Sequence, residues 1–241
     1  MRITGPARAL AILAGLAASG CAPKYYAPNT HNVPVLTRAG DYSGAFAFGD
    51  SRGELQAAYA VSERVALMLN AAVFDQADDA DGDGGRGGIL ELGAGYLAPV
   101  GDRVQVGVFG LLGGGDLENH FPSTVTSNPG TTGTLEAHLA RFGLQPTLSY
   151  RTTHFEAAAS ARVLGLRYSD VTGSLVFGGE DQVQMLRDQP DHTLLEPALT
   201  LRAGFETVKA QLQLGWSFNR GHSEFRQDEG HLTAGIVYSP R

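Results

Sequence analysis

The sequence predicts an all-β fold, a ten-stranded antiparallel up-and-down transmembrane β-barrel with short periplasmic turns and long outer loops. Two observations lead to this prediction. Apolar residues alternate with small or polar ones over most of the chain after residue 40, which is the period of β-strands with one apolar face. The connections between these segments alternate between short and long, so that the long loops gather at one end, as in outer-membrane barrels.

The alternation is clearest in residues 54–74. Leu55, Tyr59 and Val61 fall on one face of the first arm, and Glu54 and Gln56 fall on the other. A second arm with the same period follows after the short link SER. This spacing predicts an antiparallel hairpin.

Eight further strands follow from the same period and from the Gly, Pro and Asp clusters between the segments. The ten predicted strands are Asp41–Phe48, Glu54–Val61, Val65–Phe74, Ile89–Pro99, Arg103–Gly113, Leu135–Tyr150, Phe155–Tyr168, Leu194–Phe205, Ala210–Asn219 and His231–Tyr238. The remaining segments, including Asp75–Gly88, are expected to be loops.

The first 20 residues have the pattern of a secretory signal peptide. Arg2 and Arg8 form a basic start, an apolar run follows, and small residues precede Cys21. The run Ala18-Ser-Gly-Cys21 resembles a bacterial lipobox, although Leu is more usual where Ala18 stands. The resemblance implies a diacylglyceryl group on Cys21, with further acylation such as palmitate. The alternative is an ordinary signal peptide followed by an incidental cysteine.

Residues 21–40 contain three prolines and no alternation. This composition predicts a lipidated, extended tether, followed by the barrel in residues 41–241. An even number of strands returns both ends of the barrel to the periplasmic side. We therefore expect the N-terminus to be lipid-anchored there.

Composition excludes several classes of function. The formal net charge is −7, and it becomes −9 when Arg2 and Arg8 are removed with the first 20 residues, so nucleic-acid binding is not expected. After residue 21 no apolar stretch is long enough for a transmembrane helix. The expected partners are outer-membrane lipid and other envelope proteins, and no cofactor is expected.

Three features favour an outward-facing apolar surface. The polar face is poor in Lys, since Lys24 and Lys209 are the only lysines, whereas soluble surfaces are rich in it. The chain is exported, and aromatic residues lie near the ends of several predicted strands, as in an aromatic girdle. These aromatic residues are Tyr59, Tyr96, Tyr150, Trp216 and Tyr238. The residues expected to face lipid include Leu67, Val106, Leu199 and Leu214.

The opposite face carries charged residues that would lie inside the barrel. Unpaired charges in a narrow interior are costly, so these residues are expected to form ion pairs. The candidates are Glu54, Glu91, Glu156 and Glu196 with Arg103, Arg141, Arg162 and Arg202. We expect a structural ionic plug; the alternative is a conducting pore.

The link after the third predicted strand is a weak calcium candidate. Asp79, Asp81 and Asp83 precede Gly84 as in the start of a calcium-binding loop, but Leu90 occupies the position that requires a bidentate Glu. A solvated acidic loop is the simpler interpretation, and no other metal site is expected.

Histidines near the predicted outer loops raise a second weak possibility, a hydrolase or protease at the rim. The histidines in or beside these loops are His120, His192, His222 and His231. No motif spacing supports catalysis by them, so no catalytic residue is assigned.

Three stretches carry a resemblance to a known family: YYAPNTHNVPVL, LQAAYAVSERVALM and LEPALTLRAGFETVKAQLQLGWSF. They resemble the lipidated outer-membrane β-barrel proteins of Bacteroidota-type bacteria. The resemblance implies the fold and an outer-membrane location, and it brings no catalytic residues.

The function expected from these observations is that of a non-enzymatic outer-membrane lipoprotein, structural or partner-binding, with a largely plugged interior. The alternative is a periplasm-facing lipoprotein whose closed, soluble barrel binds a lipid or another apolar ligand.

Overall fold

The computed structural model describes residues 22–76, 82–122, 130–221 and 224–240. Nearly all regular structure in these ranges is β. The strands are β1 (Tyr42–Gly49), β2 (Arg52–Ala60), β3 (Val65–Gln76), β4 (Gly84–Val100), β5 (Val104–Phe121), β6 (Gly133–Arg151), β7 (Phe155–Gly173), β8 (Val176–Phe177), β9 (Glu180–Asp181), β10 (Asp191–Gly204), β11 (Val208–Trp216), β12 (Phe218–Asn219) and β13 (Gly230–Tyr238). One short helix, α1 (Gln182–Asp188), precedes β10.

Ten of these strands close into a barrel. Each wall strand pairs antiparallel with its neighbours in the chain, and β13 closes the wall by pairing with both β11 and β1. The two-residue β12 continues the line of β11 beyond Ser217 and pairs with β10. The prediction of a ten-stranded antiparallel up-and-down barrel is confirmed.

The two ends of the barrel differ. At one end, called the turn end, the connections are 61–64, 101–103, 152–154 and 205–207. At the other, called the long-loop end, the longer connections follow β3, β5, β7 and β11. The two-residue turn between β1 and β2 also lies at the long-loop end, where Ser51 has a positive φ of 53°. The predicted sorting of the long connections to one end is confirmed.

The part of the wall nearest the turn end carries an apolar belt on its outer face. Along β5, Val106, Val108 and Leu112 all point outward and are exposed. From the start of β5 to Leu112 the belt is about 20 Å high at a strand tilt near 45°. Five exposed tyrosines mark the turn end of the belt: Tyr42, Tyr59, Tyr96, Tyr150 and Tyr238. The predicted outward orientation of the apolar face is confirmed.

Beyond the belt, β4 to β7 continue as a taller wall, here called the upper wall. The apolar face reverses there: in β5, Leu117 and Phe121 are buried inside, whereas Asp116 and His120 point outward. The boundary lies in the run Gly113–Gly115, where a Cβ on Gly115 would collide with the carbonyl oxygen of Gly88. The expectation that residues 75–88 form a loop is wrong, because β3 and β4 extend into this segment.

The interior of the upper wall is a hydrophobic core of the kind found in soluble domains. Leu135, Leu166 and Leu175 are fully buried there, and α1 covers them with Val183 and Leu186. The Asp181 carboxylate caps α1 by accepting a hydrogen bond from the backbone N–H of Gln184 at 3.0 Å. In the described ranges, no helix is both long enough and apolar enough to cross a membrane.

Candidate functional site: residues 22–40 inside the barrel

Residues 22–40, called the lumen segment, run through the interior of the barrel from the level of the upper wall to the turn end, where residues 38–40 are exposed. Every residue from Tyr25 to Leu36 is buried, and the segment forms no regular strand beyond one bridge at Tyr26. The described part of the predicted extended tether, residues 22–40, thus passes through the barrel. The segment lacks alternation because wall side chains surround it on every side, so no face is left for solvent.

Strand β5 shows the direction in which the segment runs. Near the long-loop end of β5, the Asn119 side chain accepts a hydrogen bond from the Lys24 backbone N–H at 3.0 Å. Near its turn end, Gln105 donates one to the Leu36 carbonyl oxygen at 2.6 Å. The segment therefore enters at the long-loop end, passes through the lumen and leaves at the turn end, where β1 begins.

Where the lumen segment enters the barrel, it is held by residues of the connection that precedes β13. The Lys24 ammonium lies 2.6 Å from the Asp228 carboxylate, which also binds the guanidinium of Arg52 at 2.9 Å. The Tyr25 backbone N–H donates to the carbonyl oxygen of Arg226 at 2.9 Å. Both ends of the barrel wall do lie at the turn end, as expected, but the chain that precedes β1 comes from the opposite end.

Four wall glutamines hold the backbone of the segment. Gln56 donates to the carbonyl oxygen of Thr30 at 2.8 Å, and Gln145 donates to that of Asn32 at the same distance. Gln213 both accepts from the His31 N–H and donates to the His31 carbonyl oxygen. With Gln105, these side chains take the place of a neighbouring strand. They satisfy buried backbone groups that would otherwise be unpaired.

Thr30 is the most completely bound residue of the segment. Its backbone N–H donates to the Glu54 carboxylate at 2.8 Å, and its hydroxyl donates to the Thr233 hydroxyl at 2.9 Å. Glu54 therefore binds the backbone of the segment and forms no ion pair with an arginine in the described residues. The neighbouring His31 ring bonds to the Ser160 hydroxyl at 2.7 Å.

A buried charge network surrounds this region. Arg141 and Glu91 form an ion pair with 2.5 Å between Nη2 and Oε2. Arg162 lies 3.9 Å from both Glu91 and Glu196. Its guanidinium also donates to the carbonyl oxygen of Asn29 at 3.1 Å. All four charged side chains are fully buried, so the network is closed by the wall and the lumen segment together.

A second cluster lies toward the turn end. Arg202 and Lys209 both bind the Glu156 carboxylate, at 3.2 and 3.3 Å. Arg202 also donates to the carbonyl oxygen of Val33 at 2.9 Å. The eighth predicted residue, Arg103, is not in the interior, because it lies in the turn before β5, where it is exposed and bonds to the Tyr150 hydroxyl.

Asp41 ends the lumen segment at the turn end. Its carboxylate accepts hydrogen bonds from the backbone N–H groups of Thr37 and Arg38, both at 2.9 Å. Partial burial raises the pKa of the Asp41 carboxyl, but these hydrogen bonds outweigh that effect and hold the pKa below its usual value. The carboxylate thus stabilises the turn through which the chain passes from the lumen into β1.

The calcium candidate gains no support from the described residues. Asp79 and Asp81 lie outside the described ranges, and Asp83 is buried beside β4. Within those ranges, no group of three or more His, Cys, Asp or Glu side chains is arranged to hold a metal ion.

The four rim histidines do not come together at the surface. His192 is buried with its ring stacked on Phe225 at 3.8 Å between centroids, and His231 is buried in the wall. His120 is exposed, whereas His222 lies outside the described ranges. The outer face of the upper wall does carry a pair, with 2.7 Å between His138 Nδ1 and the Asp116 carboxylate. In the part of the chain that the structure describes, no hydroxyl or thiol is hydrogen-bonded to this histidine.

Sequence reasoning missed the lumen segment as part of the site. A usable signal was present, because no charged residue occurs between Lys24 and Arg38, whereas solvated tethers are usually polar and charged. The glutamines at inward positions of several strands were a second signal. Long amides pointing into a narrow barrel need hydrogen-bond partners, and another chain segment can supply them.

Comparison with known proteins finds no matching family model and no matching curated protein. Among solved structures, the chain is similar to the KdgM porin, with 10% identity over 83% of this chain and 99% of that chain and a TM-score of 0.36. It is similar to the NanC porin with 10% identity over 84% and 100% and a TM-score of 0.36. LpxR from Salmonella typhimurium matches with 7% identity over 83% and 99% and a TM-score of 0.36. The barrel assignment rests on the strand pairing of this chain itself.

Proposed function

We propose that this protein is a non-enzymatic outer-membrane lipoprotein whose barrel is closed by its own N-terminal segment. It serves as a structural or partner-binding component of the envelope and not as a solute channel. One observation carries the proposal: wall side chains bind the backbone of the lumen segment from Asn29 to Leu36. A segment bound in this way is part of the folded barrel.

The outer-membrane location is supported by the outer face of the wall. Large apolar side chains such as Leu92, Leu112 and Leu144 are more than half exposed. A water-soluble protein rarely exposes so large a continuous apolar surface. The belt, about 20 Å high and bordered by tyrosines at the turn end, is close in height to the apolar band of outer-membrane barrels, which is about 25 Å. The same surface argues against the alternative of a soluble, ligand-binding barrel.

Closure of the lumen is supported by the charge network. Removing the segment would leave Arg162, Gln145 and Gln213 without the backbone partners that they now bind. Buried polar groups without partners cost about 1–3 kcal/mol each, and charged groups cost more. The barrel is therefore much more stable with the segment inside than without it.

The upper wall supplies the surface for a partner. Its outer face carries a groove of about 700 Å³ lined in part by Asp75, Asp116, Glu118 and Asp170. One arginine, Arg86, also lines the groove, but its guanidinium is paired with the Glu118 carboxylate at 2.6 Å. The groove is therefore acidic, and it suits a partner with a basic surface.

Conductance measurements test the proposal. Purified protein inserted into planar bilayers is expected to give no stable channels, because the lumen segment leaves no continuous path for ions. A general porin in the same bilayers serves as the positive control for insertion. The double variant Gln145→Ala, Gln213→Ala loosens the segment, and we expect it to show brief openings. Steady conductance by the unmodified protein would refute closure.

A further inference from the structure

The direction of the lumen segment has a consequence for the N-terminus. We infer that the chain preceding Ala22 emerges at the long-loop end, so that Cys21 and the acyl chains attached to it lie on the side of the membrane opposite the short turns. With the short turns in the periplasm, as the sequence predicts, the protein is anchored in the outer leaflet, at the cell surface. This inference rests on the proposed function for the membrane and on the lipobox resemblance for the acyl group.

The described residues nearest to Cys21 lie at the long-loop end. Lys24 is tied to Asp228 and Asn119, which both lie at the long-loop end. Tyr26 forms a parallel bridge with Gln227, in the connection before β13. Since neighbouring Cα atoms are 3.8 Å apart, three residues span at most about 11 Å. The chain from Lys24 to Cys21 is therefore too short to reach the turn end.

The contacts of the lumen segment with β2 follow one direction along the chain. It runs parallel to β2, contacting Arg52 through the Pro28 carbonyl oxygen and then Glu54 and Gln56 through Thr30. Arg52 begins β2 at the long-loop end, and β2 then descends toward the turn end. A segment that entered from the periplasm would have to meet these residues in the reverse order.

The rim of the barrel is low on the side where the lumen segment enters. The β1–β2 turn, at Asp50 and Ser51, makes that side of the rim low, whereas β4 to β7 rise above the belt on the other side. Arg52 binds both Pro28 and Asp228 just below this turn. Acyl chains on Cys21 can thus reach the bilayer over the low side of the rim without crossing the upper wall.

The inference makes lipid anchoring and barrel assembly interdependent. Because the closed wall leaves no lateral opening, the segment is either enclosed as the wall closes or threaded lengthwise into the closed barrel. The anchor then fixes the entry end of the segment, and β1 fixes its exit end at Asp41. A segment held at both ends stays in the lumen.

Epitope insertion at three places tests the inference. One tag is inserted between Ala22 and Pro23, a second between Ser62 and Glu63 at the turn end, and a third between Gly178 and Gly179 at the long-loop end. Ser62, Glu63, Gly178 and Gly179 are all exposed. Antibody binding is measured on intact cells and after the outer membrane is opened. Incorporation of labelled palmitate, and its loss in Cys21→Ser, reports acylation.

We expect the tag at residues 22–23 to behave like the tag at 178–179, with both detected on intact cells. The tag at 62–63 should be detected only after opening. If the tag at 22–23 behaves like the one at 62–63, the threading is wrong while the membrane-spanning barrel stands. If the tags at 62–63 and 178–179 are hidden alike on intact cells, the barrel does not span the membrane, and both the proposed function and the inference fail. Absence of palmitate on correctly exposed protein would refute the acyl anchor alone.

Discussion

Replacing Arg162 with Met is expected to lower the free energy of unfolding by about 3–5 kcal/mol, which is the cost of removing one partner of a buried ion pair. Arg162 joins wall and lumen segment, since it binds the Asn29 carbonyl oxygen and lies near Glu91 and Glu196. In the Arg162→Met variant, Glu196 loses a cation close to its carboxylate, and the Asn29 carbonyl oxygen loses its donor. Both groups are buried and have no access to water in exchange.

Urea unfolding in lipid vesicles measures this effect, with the fluorescence of Trp216, the single tryptophan, as the signal. Arg167→Met is the matched control. Arg167 lies five positions away on the same strand and is exposed, with a long contact of 3.7 Å to Asp191. Exposed pairs contribute about 0–1 kcal/mol, so the control should change little. Equal effects of the two substitutions would show that Arg162 is not part of a buried network.

Replacing Leu199 with Arg is expected to cost about 2–4 kcal/mol. Leu199 points outward on β10 between Ala159 and Leu214, and 53% of its surface is exposed. Along a strand tilted about 45°, it lies roughly 12 Å above the turn end, near the middle of a belt about 20 Å high. A charge at that depth must either leave water or distort the bilayer around it.

The control for this prediction is Leu199→Ala, which removes apolar contact without adding charge. It should destabilise the protein by less than Leu199→Arg in vesicles. In a soluble protein an exposed Leu tolerates Arg almost without cost. Equal stability of Leu199→Arg and the unmodified protein would therefore contradict the spanning barrel.

The apolar belt could be predicted from the sequence because its alternation has a constant phase. In the belt, residues such as Val106, Val108 and Leu112 all occupy outward positions, and the period of two is easy to recognise. The upper wall could not be predicted in the same way. After Gly113–Gly115 the apolar residues Leu117 and Phe121 occupy inward positions, so the phase of the pattern reverses in the middle of β5.

The reversal has a simple physical reason. In the proposed membrane location, lipid surrounds the belt and favours an apolar outer face, whereas water surrounds the wall above the belt and the core must lie inside. A strand that crosses this boundary changes its apolar side without any break in its hydrogen bonds. Because of this reversal, the predicted fifth strand stops at Gly113, although β5 continues to Phe121. For the same reason the predicted fourth strand starts at Ile89, although β4 begins at Gly84.

The charged residues of the lumen were predicted as a group, but their partners were not. Glu91, Arg141 and Arg162 do meet inside the barrel, since all lie on inward positions of the wall. Glu54 and the glutamines instead bind the lumen segment. Sequence periodicity describes the wall strands alone, so it contains no information about a non-periodic segment that the wall encloses.

The central claim is that the lumen segment passes through the closed barrel, and a disulfide between that segment and the wall tests it most directly. The hydroxyls of Thr30 and Thr233 are 2.9 Å apart, although the two residues lie far apart in sequence. In a Thr30→Cys, Thr233→Cys variant we expect a disulfide to form on mild oxidation, seen as a mobility shift that reduction reverses. A Thr30→Cys, Ser62→Cys control should form none, because Ser62 lies in a turn outside the lumen. Failure of the first pair to cross-link in folded protein, with both thiols open to alkylation, would contradict the threaded segment.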